Sequence, residues 1–311
     1  MDPDAARVIA RAWERLLRPE GEAPYFFPGE GRTMPPPFDP GAGEFSPANA
    51  WWLSELCRLV YTPDAKEAPR PWHRDKPARE ALLAASGGFV ETHSIHKTGN
   101  HAALFRGRAA DGTGYWVLGF RGTNKLRQWI MNLTAVPVRL AAGDEDCVVH
   151  QGFKVLFNRV WPAIEPCLAE IEAGPGGPVI YTGHSLGGAF ATLAALRRAP
   201  DALHTFGSPR VGNAVLRDRI EAGGFPAFRV VHARDIVTQL PARNPDEASQ
   251  DFRHAGKLVV IGGDGTEDWP PADPLAYLAG SFTDPAAPPD CLSDHLPARY
   301  SAALLAAGAR S

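Results

Sequence analysis

The sequence is poor in cysteine and carries no excess of charge of either sign. Its four cysteines, Cys57, Cys147, Cys167 and Cys291, include no C-x-x-C pair, which argues against a structural zinc site. They are expected to be thiols, because nothing in the chain directs it to an oxidising compartment. The net charge is −3, and the basic residues are scattered. The charge balance argues against binding of nucleic acid through a basic surface. No metal or other cofactor is expected.

Long apolar segments are also absent. No run of about 18 apolar residues occurs, so no membrane span is expected. Charged side chains recur through residues 1–20, which therefore lack the continuous apolar core of a secretory signal. These observations predict a cytoplasmic protein, with signal-independent export as the alternative.

Proline and glycine are concentrated near the N-terminus. A helical period over residues 3–17 ends at Pro19 and Gly21, and the stretch that follows includes Pro35-Pro36-Pro37. We therefore interpret residues 1–45 as an arm that lies on the protein and residues 46–311 as one α/β domain.

Strand and helix patterns alternate through the domain. Three strand patterns, at 88–95, 102–108 and 115–120, predict an antiparallel meander whose last two strands are joined by the turn Asp111-Gly112. Downstream, helix patterns separate strand patterns at 179–182, 202–206, 228–232 and 257–261, and a final helix is expected over 297–307. This order predicts an α/β fold with a central, mostly parallel sheet and helices on both faces. Residues 262–289 are expected to form a long surface loop.

The pentapeptide Gly183-His184-Ser185-Leu186-Gly187 is a candidate nucleophile elbow. A short apolar strand pattern precedes it and an alanine-rich helix pattern follows, which is the setting that such a turn requires. The flanking glycines allow the helix to pack close to the strand. Ser185 is therefore the candidate nucleophile.

A serine hydroxyl needs a histidine base that an acid orients, and in hydrolases with this elbow both follow the serine along the chain. Asp235 comes directly after a strand, at its carboxyl end, where sites form in open α/β sheets. His295 precedes the last helix and is the candidate base. His254 is the competitor, although its place before a strand favours a structural role.

Taken together, the motifs of this chain resemble those of the class 3 lipases, the fungal triacylglycerol lipase type of the α/β-hydrolase superfamily. The matching segments are Gly119–Thr123, Val149–Phe153, Thr182–Ala189, Thr205–Asn213, Val231–Val237 and Asp294-His295. The resemblance implies a Ser185, Asp235 and His295 triad, in agreement with the choice made above from position. It also implies an oxyanion hole formed by the backbone N–H groups of Thr123 and Leu186.

The segment after Thr123 has the pattern of a short amphipathic helix. Its apolar positions are Leu126, Trp129, Ile130 and Leu133. In the lipases that the chain resembles, this position is a lid that opens at a lipid surface. A core helix that packs on the sheet remains the alternative.

The function expected from these features is that of a carboxylic ester hydrolase. Acylglycerols, phospholipids or smaller esters are the expected substrates, with transient contact at a lipid interface. Two alternatives stay open, namely a non-catalytic interaction protein of the same fold and an acyltransferase that uses the same triad.

Overall fold

The central sheet positions the candidate nucleophile Ser185 and the candidate acid Asp235. The computed structural model describes residues 25–28, 30, 33–61, 76–84, 86, 88–97, 99–123, 136–174, 176–247, 250–263, 271–281 and 289–308. Its main sheet has the strands β1 (Val90–Lys97), β2 (Asn100–Arg108), β3 (Gly114–Phe120), β6 (Val179–His184), β7 (Ala202–Phe206), β8 (Ala227–His232) and β9 (Lys257–Ile261), in that spatial order. A second, two-stranded sheet pairs β4 (Pro137–Arg139) with β5 (Val148–His150).

The pairing of neighbouring strands changes once across the main sheet, from antiparallel to parallel. Strands β1, β2 and β3 pair antiparallel, whereas β3, β6, β7, β8 and β9 run parallel. The expected meander and parallel sheet are therefore confirmed. Because the parallel strands end at the same edge, the residues that follow β6, β7 and β8 are brought together there.

Helices cover both faces of the sheet, as expected from the sequence. The described helices are α1 (Pro47–Leu59), α2 (Lys76–Ala84), α3 (Gln151–Ala173), α4 (Leu186–Arg197), α5 (Ala214–Glu221), α6 (Pro274–Gly280), α7 (Asp290–Ser293), α8 (Pro297–Gly308) and a 3-10 helix (Ile236–Gln239). Helices α3, α4 and α5 contribute to one apolar cluster, and α1 and α8 contribute to the other. Each cluster lies between its helices and one face of the sheet.

Several elements differ from the sequence-based expectation. Helix α2, the small sheet of β4 and β5, and the 3-10 helix after Asp235 were not predicted. Helix α6 lies within the segment expected to be a surface loop, where the carboxylate of Asp273 accepts hydrogen bonds from the N–H groups of Leu275 and Ala276, both at 3.0 Å. This N-terminal cap and Pro274 at the first helical position start a helix within a proline-rich segment.

Part of the N-terminal arm contacts the core. Phe26 and Phe38 are buried in the same apolar cluster as α1, and the N–H of Phe26 donates to the carboxylate of Glu55 at 2.6 Å. Glu55 is itself buried and pairs with Arg58 at 2.5 Å. The described part of the arm is therefore anchored to helix α1 by both apolar and polar contacts.

All four cysteines are free thiols. Cys57, Cys147 and Cys291 are buried, and Cys167 is half-buried. Within the described ranges, none of the helices is long and apolar enough to cross a membrane, and no group of three or more His, Cys, Asp or Glu side chains is arranged to hold a metal ion.

Candidate active site

Ser185 occupies the turn between strand β6 and helix α4. Its backbone has φ 60° and ψ −129°, a conformation that side-chain-bearing residues rarely adopt. The Ser185 N–H donates to the carbonyl of Phe206 at 2.9 Å. A Cβ atom on Gly187 would collide with the carbonyl oxygen of Phe120, so only glycine allows α4 to approach β3 this closely. This strained strand-to-helix turn has the geometry of a nucleophile elbow.

Asp235 and His295 meet across the sheet edge although 60 residues separate them in the chain. His295 Nδ1 lies 2.8 Å from Asp235 Oδ2, and the N–H of Val237 donates to Asp235 Oδ1 at 2.9 Å. Both side chains are fully buried. Because a carboxylate accepts, the Nδ1 of His295 carries the proton. The Nε2 of the neutral ring then has the free lone pair that a general base needs.

The loop after β7 brings the elbow to the Asp–His pair. Phe206 accepts the Ser185 N–H, and a Cβ atom on the next residue, Gly207, would lie 2.8 Å from Asp235 Oδ2 and 3.0 Å from His295 Cε1. Ser185 Oγ and His295 Nε2 are both buried, and neither has a hydrogen-bond partner among the described residues. The serine hydroxyl and the imidazole are therefore not hydrogen-bonded to each other in this structure.

The candidate oxyanion donors lie beside Ser185. A Cβ atom on Gly122 would be 2.9 Å from the Cβ of Ser185, so Thr123 follows a residue in direct contact with the elbow. Leu186 is the first residue of α4, and the first N–H groups of a helix have no acceptor within it. The four candidate lid positions, Leu126, Trp129, Ile130 and Leu133, lie outside the described residues.

Tyr300, in helix α8, is a site residue that sequence reasoning missed. Its hydroxyl donates to Asp235 Oδ2 at 2.6 Å, so this oxygen accepts from both Tyr300 and His295. Burial, and then the negative charge of Asp235, raises the pKa of Tyr300 well above its ordinary value, which keeps the phenol protonated as a donor. The only sequence signal was a tyrosine in the final helix, five residues after the candidate base.

His184 and Tyr61 form a second contact to the base that the sequence did not reveal. His184 Nε2 donates to the backbone carbonyl of His295 at 2.7 Å, and the Tyr61 hydroxyl lies 2.9 Å from His184 Nδ1. Burial, and then the proximity of His295, lowers the pKa of His184 well below its ordinary value. His184 is therefore neutral, and its Nδ1 accepts a hydrogen bond from the Tyr61 hydroxyl.

Two of the remaining downstream histidines donate to backbone carbonyls, and the third is buried within the sheet. His254 Nε2 donates to the carbonyl of Thr238 at 2.7 Å, and His232 Nδ1 donates to the carbonyl of Asp294 at 3.0 Å. His204 is buried in β7, and burial lowers its pKa to about 4. These contacts agree with the structural role that the sequence favoured for His254.

Known proteins match the part of the chain that contains the elbow. A family model described as Lipase (class 3) matches residues 117–244, a range that includes the elbow and Asp235. Residues 117–244 therefore carry the sequence pattern of the class 3 lipase family. It is 37% identical over 154 residues to a lipase from Rhizomucor miehei, covering 46% of this chain and 40% of that lipase. It is 38% identical over 132 residues to secreted mono- and diacylglycerol lipase 1 of Fusarium solani, covering 40% and 39%.

Other class 3 lipase relatives extend the comparison. A chloroplastic phospholipase A(1), DAD1, from Arabidopsis thaliana is 32% identical over 158 residues, covering 43% of this chain and 35% of the relative. The chain thus spans about two fifths of the length of the curated relatives it matches. A solved triacylglycerol lipase, whose catalytic centre is a serine protease triad, superimposes with a TM-score of 0.55 at 28% identity, covering 68% of this chain and 78% of the other. The α/β-hydrolase fold is thereby confirmed.

The same relatives correct the expected location. The Fusarium solani relative is a secreted enzyme, as is a mono- and diacylglycerol lipase of Penicillium cyclopium that is 39% identical over 131 residues and covers 40% of this chain and 42% of the relative. The expectation of a cytoplasmic protein is therefore wrong. It depended only on the charged residues near the N-terminus, whereas the residues that define the family lie in the domain.

Proposed function

We propose that this chain hydrolyses carboxylic esters of lipids through an acyl-enzyme on Ser185. The observation that carries the proposal is the buried His295–Asp235 hydrogen bond of 2.8 Å beside a serine held at φ 60°. A neutral imidazole that an acid orients next to a strained serine is the arrangement that activates a hydroxyl nucleophile.

The steps follow from the positions of these groups. Ser185 Oγ attacks the ester carbonyl carbon while His295 Nε2 takes the hydroxyl proton, and Asp235 stabilises the imidazolium that results. His295 then returns the proton to the departing alkoxide, which leaves an acyl-enzyme. Water attacks the acyl carbon with His295 as base, and the free acid leaves as Ser185 is restored.

Thr123 and Leu186 are assigned to the oxyanion hole in this proposal. Their backbone N–H groups would donate to the carbonyl oxygen as it becomes negative in each tetrahedral intermediate. The contact of Gly122 with Ser185 and the position of Leu186 at the start of α4 support this assignment. Loss of one such donor typically costs about 3 kcal/mol of transition-state stabilisation.

Acylglycerols and phospholipids are the substrates that we propose. The acylglycerol lipase of Fusarium solani and the phospholipase A(1) of Arabidopsis thaliana support this class. The side chain of Ser185 is almost fully buried, so an ester reaches Oγ only after neighbouring groups move. A family whose substrates aggregate at interfaces can use such a closed site, because the surface supplies the binding energy that opens it.

The nucleophile is tested with a fluorophosphonate probe. Wild-type protein should be labelled at one serine, and Ser185→Ala should abolish both labelling and hydrolysis of p-nitrophenyl butyrate. Ser54→Ala, which removes a buried hydroxyl bonded to the Trp51 carbonyl in helix α1, should leave both unchanged. Absence of labelling in the wild type, with and without detergent, would overturn the proposal.

The substrate class is tested separately. Initial rates on a triglyceride emulsion, phosphatidylcholine vesicles and p-nitrophenyl esters of increasing chain length should show at least one of the two lipids to be hydrolysed. Labelling of Ser185 together with hydrolysis of soluble esters alone would support the mechanism and reject the lipid substrate.

A further inference from the structure

A small polar cavity lies on the α4 side of the sheet, behind the segment that carries Asp235. Its volume is about 10 Å³, roughly the space that one water molecule needs. Polar side chains from strands β7 and β8, helix α4 and the segment before β9 form much of its wall. These are Thr192, Thr205, Ser208, Arg229, Arg253 and His254.

Arg229 faces this cavity without a compensating charge. Its guanidinium is mostly buried, its Nε atom is inaccessible to water, and Nε has no hydrogen-bond partner in the described part of the chain. Burial lowers its pKa to about 10, so Arg229 still carries its charge at neutral pH. Nε of Arg253, on the same wall, is likewise buried and without a partner in the described ranges. A buried cation is costly unless an anion or hydrogen-bond acceptors offset it.

The surrounding charges do not supply that compensation. Asp251 is shared, at 3.0 Å from Arg243 and 2.6 Å from Arg253. Arg210 donates to the backbone carbonyls of Gln239 and Pro241, the latter at 2.7 Å, and not to a carboxylate. Among the described residues, Asp251 is therefore the one carboxylate near Arg210, Arg243 and Arg253, and no carboxylate pairs with Arg229.

We propose that this cavity binds one halide-sized anion, chloride under ordinary conditions. Arg229 supplies the charge, and the hydroxyl of Thr205, which is paired with Arg229 in the sheet, supplies a neutral donor. The small volume favours a single-atom anion over the larger sulfate, phosphate and carboxylate groups. His254 does not compete as a cation, because burial, and then the charges of Arg229 and Arg210, lowers its pKa well below its ordinary value.

The anion has a structural consequence for the candidate active site. One wall residue, His254, donates to the carbonyl of Thr238, and the Thr238 hydroxyl donates to the carbonyl of Asp235 at 2.8 Å. Arg210 holds the other end of the same 3-10 helix through Gln239. Anion binding therefore stabilises the segment that fixes Asp235, and it raises the stability of the folded protein by mass action.

Thermal unfolding tests the proposal in solution. The melting temperature of full-length protein should rise by about 3 °C as sodium chloride or bromide replaces sodium gluconate at constant ionic strength, and the rise should saturate. Arg229→Met should remove this halide-specific rise. Arg217→Met, in which the lost guanidinium pairs with Asp218 on the surface, should keep it. Equal melting temperatures of the wild type in halide and gluconate would overturn the proposal.

Anomalous diffraction from wild-type crystals grown in bromide locates the ion directly. This test does not depend on whether the Arg229→Met variant folds. A bromide peak between Arg229 and Thr205 is the expected result. A halide response in solution with no peak in this cavity would assign the effect to another surface and would reject the site. A peak with no saturable response in solution would mean binding at crystal concentration only and would likewise reject it.

Discussion

At the scale of single residues, the Asp235 carboxylate is the most constrained group of the candidate site. It is fully buried, and its oxygens accept hydrogen bonds from Tyr300, His295 and the N–H of Val237. Hydrogen bonds to an ionised acceptor are stronger than neutral ones, and a buried carboxylate depends on them. The orientation of His295 is therefore only as well defined as the carboxylate to which it is bonded.

Tyr300→Phe removes one of the two donors to Asp235 Oδ2. We expect kcat for p-nitrophenyl butyrate to fall about tenfold with little change in KM, because the base is less well positioned in the transition state. The free energy of unfolding should fall by about 1–3 kcal/mol. Steady-state kinetics and urea unfolding measure the two effects. The control is Tyr115→Phe, at a buried tyrosine near the start of strand β3. Loss of stability with unchanged kcat would show that Tyr300 has only a structural role.

At the scale of elements, three segments of the site are joined through Tyr61 and His184. The N–H of Gly122, in the candidate oxyanion loop after β3, donates to the Tyr61 oxygen. Tyr61 then donates to His184 Nδ1 on the elbow, and His184 Nε2 donates to the His295 carbonyl between α7 and α8. The candidate oxyanion loop, nucleophile and base are thus joined by one buried chain of hydrogen bonds.

A double-mutant cycle tests whether Tyr61 acts through His184. Tyr61→Phe should lower kcat about five- to tenfold at unchanged KM, because one net hydrogen bond is lost. In a His184→Leu background the same substitution should have almost no further effect on kcat. Tyr181→Phe, a buried tyrosine of strand β6, controls for loss of a hydroxyl. Additive effects in the double variant would show that Tyr61 acts independently of His184.

Local sequence patterns predicted the strands, the elbow and the choice of Asp235 and His295, because each depends on a motif or on the end of a strand. They did not predict Tyr300 or Tyr61. Tyr300 and its partner are 65 residues apart, and Tyr61 and His184 are 123 residues apart, so no periodicity connects them. Helix α6 was missed for a different reason, since its cap is a single aspartate within a proline-rich stretch.

At the scale of the whole molecule, the candidate active site is buried, so a substrate reaches it only after neighbouring groups move. Ser185, Asp235 and His295 are all almost fully buried, whereas acylglycerols are bulky and aggregated. The amphipathic pattern at Leu126, Trp129, Ile130 and Leu133 remains a prediction of a lid, since these residues lie outside the described ranges.

Trp129→Ala tests that prediction. If residues 126–133 contact a lipid surface, loss of the large aromatic side chain should lower the rate on a triglyceride emulsion at least tenfold. The rate on soluble p-nitrophenyl butyrate should change less than twofold. Parallel assays on the two substrates measure the difference. Equal losses on both would favour the core helix that the same pattern allows.

The four unpaired cysteines carry a practical consequence. Burial raises the pKa of Cys57 to about 12 and that of Cys291 to about 11, and it also raises those of Cys147 and Cys167. Near neutral pH almost none of these sulfurs is a thiolate, the form that alkylating reagents attack. Iodoacetamide therefore reaches the three buried thiols, Cys57, Cys147 and Cys291, only through transient openings. The rate at which each of them is alkylated measures local unfolding at three separate points of the domain.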